Sequence, residues 1–274
     1  MTVYLLLLLC GIGSGFLAGL LGIGGGFVVV PALLFVLPLL NIDAALVPTV
    51  AVATSLAAMV PTAVSAVFAQ YRKQALHFEW VRLLAPGVAF GSALGSKLAG
   101  AVSGPWISVI FGVYASFFAL KLISQGKRTT TAAPAKSPLA SRISALPQWS
   151  VGVFIGGFSS LAGVGGASLV VPYFLSRDAG MRQASAASSA VGLVIAVVGA
   201  IGFGLWQTKP LSPWQSGLIG FVCWPAALAI GASAIVVAPL GVALAHRLPV
   251  ARLKQMFAVV LLVVAASALT KAIG

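Results

Sequence analysis

Residues 1–42 carry no charged side chain and no histidine, yet four of the five residues from Gly22 to Gly26 are glycine. Each glycine costs a helix about 1 kcal/mol relative to alanine. The stretch GIGGGFVVVP, Gly22 to Pro31, therefore breaks a long apolar segment where nothing else would. The same device returns as GVGGASLVVP, Gly163 to Pro172. A fold for this chain has to accommodate two deliberate breaks inside its most hydrophobic sequence.

Composition names the solvent. The 274 residues are 60% hydrophobic and 7% charged, and mean hydropathy is +1.11. So few charges cannot cover that much apolar surface in water, and the chain reads as a polytopic membrane protein. In lipid the backbone must satisfy itself, as helices or as a closed barrel. The runs 83–99, 105–124, 183–206 and 255–270 are close to span length and lack strand alternation, so the expected class is all-α. The net charge of +13 would suggest nucleic acid in a soluble protein, but in a membrane chain it fits cytoplasmic loops that meet anionic lipid headgroups, and no nucleic-acid partner is expected. Cys10 and Cys223 lie in apolar segments and read as small core residues. Met1 to Leu5 has no basic region, unlike a cleaved signal peptide.

The chain repeats itself. With an offset of 141, residues 15–31 fall on 156–172 with eight identities in seventeen positions, including Gly22/Gly163, Gly24/Gly165, Gly25/Gly166 and Pro31/Pro172. Asp43-Ala44 then matches Asp178-Ala179, and Thr54 matches Ser189. The expected organisation is an N-terminal repeat over 1–124, a basic Pro/Ser/Thr-rich linker over 125–148, and a C-terminal repeat over 149–274.

Charge gives the topology. Thirteen of the 16 Lys and Arg residues fall in four clusters, around 72–82, 121–142, 177–182 and 247–254. Placed in the cytoplasm, they leave pairs of full helices at 83–99 with 105–124, and at about 183–206 with 213–245. Residues 149–176 are too few for two crossings of about 20 residues each, so they form two short arms meeting at the glycines. By the repeat, 3–40 is the matching hairpin from the other face, its first arm either a half-helix or a full span. With 44–70 crossing inward and 250–272 outward, both termini lie outside and the central loop inside. The halves are then inverted, each a Gly-broken hairpin plus about three helices, or about eight to ten membrane segments in all.

Two short helices that start at glycine breaks offer unpaired N–H groups, partial positive charge and room for close approach. Meeting at the midplane, Gly22, Gly24, Gly25 and Gly26 with Gly163, Gly165, Gly166 and Ala167 would make an anion site. The competing reading is tight helix packing, which suits Gly11, Gly15 and Gly19 well. Thr54, Ser55, Ser188 and Ser189 either bond their own helix or line a polar cavity with the glycines. Pro31 and Pro172 sit inside the second arms as bends or kinks. A nucleotide loop does not fit, since neither motif ends in Gly-Lys-Ser/Thr.

The three acidic residues, Asp43, Glu79 and Asp178, stand near expected helix ends, not mid-membrane where a proton or cation carrier would need them. Asp43 and Asp178 read as helix caps. His77 and His246 read as loop-side and solvated, so neither a metal nor a cofactor is implied, and no nucleophile–base pair suggests an enzyme.

At "GSGFLAGLLGIGGGFVVVP" (13–31), "GGFSSLAGVGGASLVVP" (156–172) and "AVATS" (51–55) the chain resembles the TauE/SafE sulfite exporters. The resemblance runs over almost the whole chain. It implies a bacterial inner-membrane carrier of small sulfur-containing anions or organic acids, and leaves room for a coupling proton or sodium ion. An anion channel with the same filter, or an assembly protein that moves nothing, are the competing classes.

Overall fold

The computed structural model describes residues 2–21, 25–40, 42–125, 148–177, 179–206, 217–245 and 262. Gly22, Gly24, Asp178, His246, nearly all of the 125–148 linker and all but Leu262 of the expected final helix at 250–272 lie outside these residues.

Nine α-helices are described. The first, α1 (Thr2–Leu21), has 20 residues, about 30 Å at 1.5 Å per residue. The first arm of the first hairpin is therefore the longer of its two arms. Its second arm is α2 (Gly26–Val36), which tightens into a 3-10 turn at Leu37–Leu40. Helix α3 (Val47–Arg72) starts with Pro48 in its first turn, where a missing N–H costs nothing. Then come α4 (Phe78–Ala101), α5 (Gly104–Gln125), α6 (Gln148–Ala162) and α7 (Ala167–Leu175). The 15-residue α6 and 9-residue α7 reach only about 22 and 14 Å, the two short arms expected from the spacing of the basic clusters. Helices α8 (Met181–Leu205) and α9 (Trp224–Ala245) complete the set. Among the described residues, Val47–Arg72, Arg182–Leu205 and Trp224–Leu244 are long and apolar enough to cross a membrane.

Two expectations shift. The span expected over 213–245 begins only at Trp224, because Leu218–Ile219 (β1) and Val222–Cys223 (β2) pair antiparallel as a small hairpin. Gly217 and Gly220 both hold φ of 63°, a conformation closed to most side chains, which lets the chain turn there. Asp43 does not sit at the N-cap of α3; Leu46 does. The Asp43 carboxylate instead accepts the Ala45 N–H at 3.0 Å, and its carbonyl accepts from Val47 at 3.1 Å. It fixes the turn that feeds the helix, so its role is structural one step earlier in the chain.

The packing is reciprocal. Helix α1 lies along α9 and α6 lies along α4, while α3 and α8 cross between them. Both outer pairs are glycine seams. A Cβ added to Gly11, Gly15 or Gly19 would come within 2.4, 2.5 and 2.0 Å of the Ile230, Ala234 and Ala238 carbonyl oxygens. One added to Gly87, Gly91 or Gly95 would come within 2.1, 2.1 and 2.3 Å of those of Trp149, Val153 and Gly157. Glycine every fourth residue lets two backbones touch, and where lipid is as apolar as leucine such contact is what holds helices together. The packing reading of Gly11, Gly15 and Gly19 is thus the structural one. Hydroxyls add polar links: Ser92 lies 2.6 Å from Ser160 and donates to the Ile195 carbonyl at 3.1 Å, tying α4, α6 and α8.

Candidate functional site

The two breaks touch. Gly25, at φ 72°, ends the first break and Gly26 opens α2. A Cβ on Gly26 would stand 2.4 Å from the Gly163 carbonyl oxygen and 2.9 Å from Val164 Cα. Nothing larger than glycine fits at 26 without moving the opposite backbone.

Each break is built locally. At the second, Gly163 holds φ of 65°, its N–H bonds the Ser160 carbonyl at 3.2 Å, and the Val164 N–H bonds that of Ser159 at 3.0 Å. This is the paired closure that a left-handed glycine gives a helix end. After it Gly166 caps α7 in a right-handed conformation, whereas the matching Gly25 is left-handed. At this matching pair of glycines the two motifs are alike in sequence and different in backbone. The first N–H groups of α2 and α7 have no acceptor in their own helix, and the helix dipole adds partial positive charge.

Beside the contact lies a narrow cavity with room for about one water molecule. Ala18 of α1, Met59, Thr62, Ala63 and Ala66 of α3, Gly165, and Ser188, Ser189 and Gly192 of α8 line it. No charged side chain is among them. Gly165, Ser188 and Ser189 are thus brought together as the sequence suggested. Ser189 also bonds within its helix, to the Ser185 carbonyl at 3.1 Å.

Other candidates are elsewhere. Thr54 is fully buried and accepts the Cys223 N–H at 2.9 Å, so its hydroxyl pins the β hairpin to α3. Ser55 donates to the carbonyls of Val52 and Gly163, each at 2.8 Å. It clamps the second break from α3 and presents no donor to a ligand in this arrangement. Ala167 opens α7, and Pro31 and Pro172 lie inside α2 and α7 as expected. His77 is exposed, stacked on Trp80, with Nε2 3.0 Å from Gln183 Nε2.

Two residues were missed. Thr62 follows Ser55 by seven positions, and Met59, Ala63 and Ala66 continue the same stripe, so helical periodicity from Ser55 marks that face of α3. Ser159 precedes Gly163 by one turn, and its hydroxyl is buried without a hydrogen-bond partner. A buried hydroxyl normally finds a partner, and among the described residues this one has none.

The family described as "Sulfite exporter TauE/SafE" matches residues 7–268. The chain belongs to the TauE/SafE family. Relatives of this TauE/SafE protein include a "Probable membrane transporter protein" of Haemophilus influenzae, 33% identical over 96% of this chain and 97% of the relative. One of the same description from Xylella fastidiosa is 27% identical over 97% and 95%. "Probable membrane transporter protein YunE" of Bacillus subtilis is 26% identical over 62% and 66%. No solved structure matches. The TauE/SafE protein is a multi-pass membrane protein of a transporter family, and its apolar outer residues, among them Leu9, Phe90, Leu98, Phe117 and Val236, present the surface that lipid requires.

Proposed function

We propose that the chain is a secondary carrier of small sulfur-containing anions, such as sulfite, thiosulfate or a sulfonate, and not an enzyme. The anion sits where the breaks meet, held by the first N–H groups of α2 and α7 and by the Ser159, Ser188 and Ser189 hydroxyls. The observation that carries this reading is the contact of Gly26 with Gly163 and Val164 beside a cavity lined by Gly165, Ser188 and Ser189. A helix start beside a break in a low-dielectric setting favours an anion without any fixed cation. The narrow, uncharged cavity supports a carrier with its site closed over an open anion channel.

The reciprocal seams, α1 with α9 and α6 with α4, support two inverted repeats, because the first helix of each half finds the fourth of the other. In that topology the linker is cytoplasmic and both termini periplasmic, in a bacterial inner membrane. Cations stacked on rings near helix ends fit it: Arg72 on Phe68 at 4.4 Å, Arg177 on Tyr173 at 4.7 Å and Lys97 on Trp206 at 5.0 Å. An Ala135→Cys variant is expected to react with an impermeant thiol reagent only after the inner face is exposed. Labelling of intact cells from outside would overturn the topology.

The functional test is a melting panel on purified protein with sulfite, sulfate, thiosulfate and taurine. A ligand that binds the folded state alone stabilises it, by about 2.7 kcal/mol at a hundredfold excess over Kd. At least one sulfur anion is expected to raise the melting temperature, with chloride at equal ionic strength as the control. A panel flat throughout would sink the reading.

A further inference from the structure

We propose that Tyr114 of α5 is a positioning residue for transport, a latch that holds the two broken arms together through one ring contact and one hydroxyl contact. Offset by 141, Phe27 and Ser168 occupy matching places, each just inside its arm, and this is where the two motifs differ most in chemistry. Tyr114 meets both. Its ring stacks on Phe27 at 5.5 Å and 25°, and its hydroxyl hydrogen-bonds the Ser168 hydroxyl. Phe158 of α6 packs edge-on against the same ring at 4.9 Å. Tyr114 and Ser168 are both buried. The departure of the second motif from the first thereby acquires a reason: a tyrosine needs an aromatic face on one side and a small hydroxyl on the other.

The two contacts differ in how far they tolerate motion. Stacked rings slide with little loss, whereas a hydrogen bond weakens steeply with distance and angle. Phe27 is held further by Phe118 at 5.1 Å and Phe111 at 6.4 Å, both on α5, so α2 stays with α5. Ser168 is held to α5 by the hydroxyl pair. Separation of the arms must break that pair first, and α7 then moves away from α5 and carries Gly165 off the cavity wall. The latch gains its consequence for transport from the carrier reading above; its existence does not depend on it.

The test uses no substrate. Gly192 lines the cavity and has open space for a Cβ, so Gly192→Cys, with Cys10→Ala and Cys223→Ala, makes a thiol reporter of opening. The reporter is reconstituted in liposomes and treated with a small methanethiosulfonate. Tyr114→Phe and Ser168→Ala are each expected to raise the labelling rate roughly 2- to 12-fold, the population change that one buried hydrogen bond controls. The melting temperature should hold within a few degrees, and the double variant should label no faster than the faster single. Each single change removes one oxygen, so failure to fold in one leaves the other to decide. Unchanged rates, a rise in only one of two folded variants, or a double rise equal to the product of the singles would overturn the latch. Because no sulfur anion enters this assay, a flat melting panel and a failed latch are separate results.

Discussion

Gly26→Ala is expected to lower transport at least tenfold while the protein still elutes as a folded species. A single added carbon would stand 2.4 Å from the Gly163 oxygen and 2.9 Å from Val164 Cα. Both are backbone atoms that cannot swing aside, so one tip must retreat, at a cost of about 1–3 kcal/mol. Gly13→Ala is the control, because a Cβ there meets nothing within 4 Å. It should transport normally and gain up to about 1 kcal/mol in helix stability. Gly166, which matches Gly25 in sequence, makes a weaker test than sequence pairing suggests. Its Cβ would meet the terminal methyl of Ile195 at 2.6 Å, a group able to rotate away. Counterflow of labelled sulfite into proteoliposomes measures the effect. Normal counterflow by Gly26→Ala would leave the meeting of the breaks without a role in transport.

Gly91→Val should have the largest effect on folding. Its Cβ would fall 2.1 Å from the Val153 oxygen and 2.7 Å from Val153 Cα, in the middle of the α4–α6 seam. Valine adds two further methyls to that conflict, and the whole seam must open to admit them. A drop of at least 3 kcal/mol in stability is expected, near the upper end for overpacking, read as loss of the monodisperse peak and a fall of several degrees in melting temperature. Gly157→Ala, on the facing helix, meets the Gly91 oxygen at 3.3 Å and should cost far less. Equal melting of both variants with the parent would mean that the seam does not hold α4 to α6.

Much of this was legible because membrane folding obeys few rules. Charge scarcity implies lipid, lipid forces helices, and glycines spaced by four mark where helices touch. The two breaks were legible because nothing but a special backbone explains four glycines in five positions. The bond that Thr54 makes was not legible for a definite reason: its partner, the Cys223 N–H, lies 169 positions away, inside a run whose apolar residues look helical. Gly217 and Gly220 were the signal of the β hairpin there, but in a chain with 31 glycines two more carry little information. Ser55 stands against the second break, but a sequence cannot say which carbonyl a hydroxyl will choose. Thr62 was available from periodicity alone, by extending the stripe from Ser55.

The crossed seams also set a schedule for biogenesis. Gly15 leaves the ribosome early, but Ala234, the residue it touches, is made 219 positions later. At about 5–20 residues per second, α1 waits roughly 10–45 s for the helix that covers its glycine face. Helix α4 waits a shorter time for α6, on the far side of the linker. Neither α1 nor α4 can complete its packing until its later partner, α9 or α6, has been made. Packing of α1 and α4 therefore comes later than their synthesis, because each rests on a helix made after it.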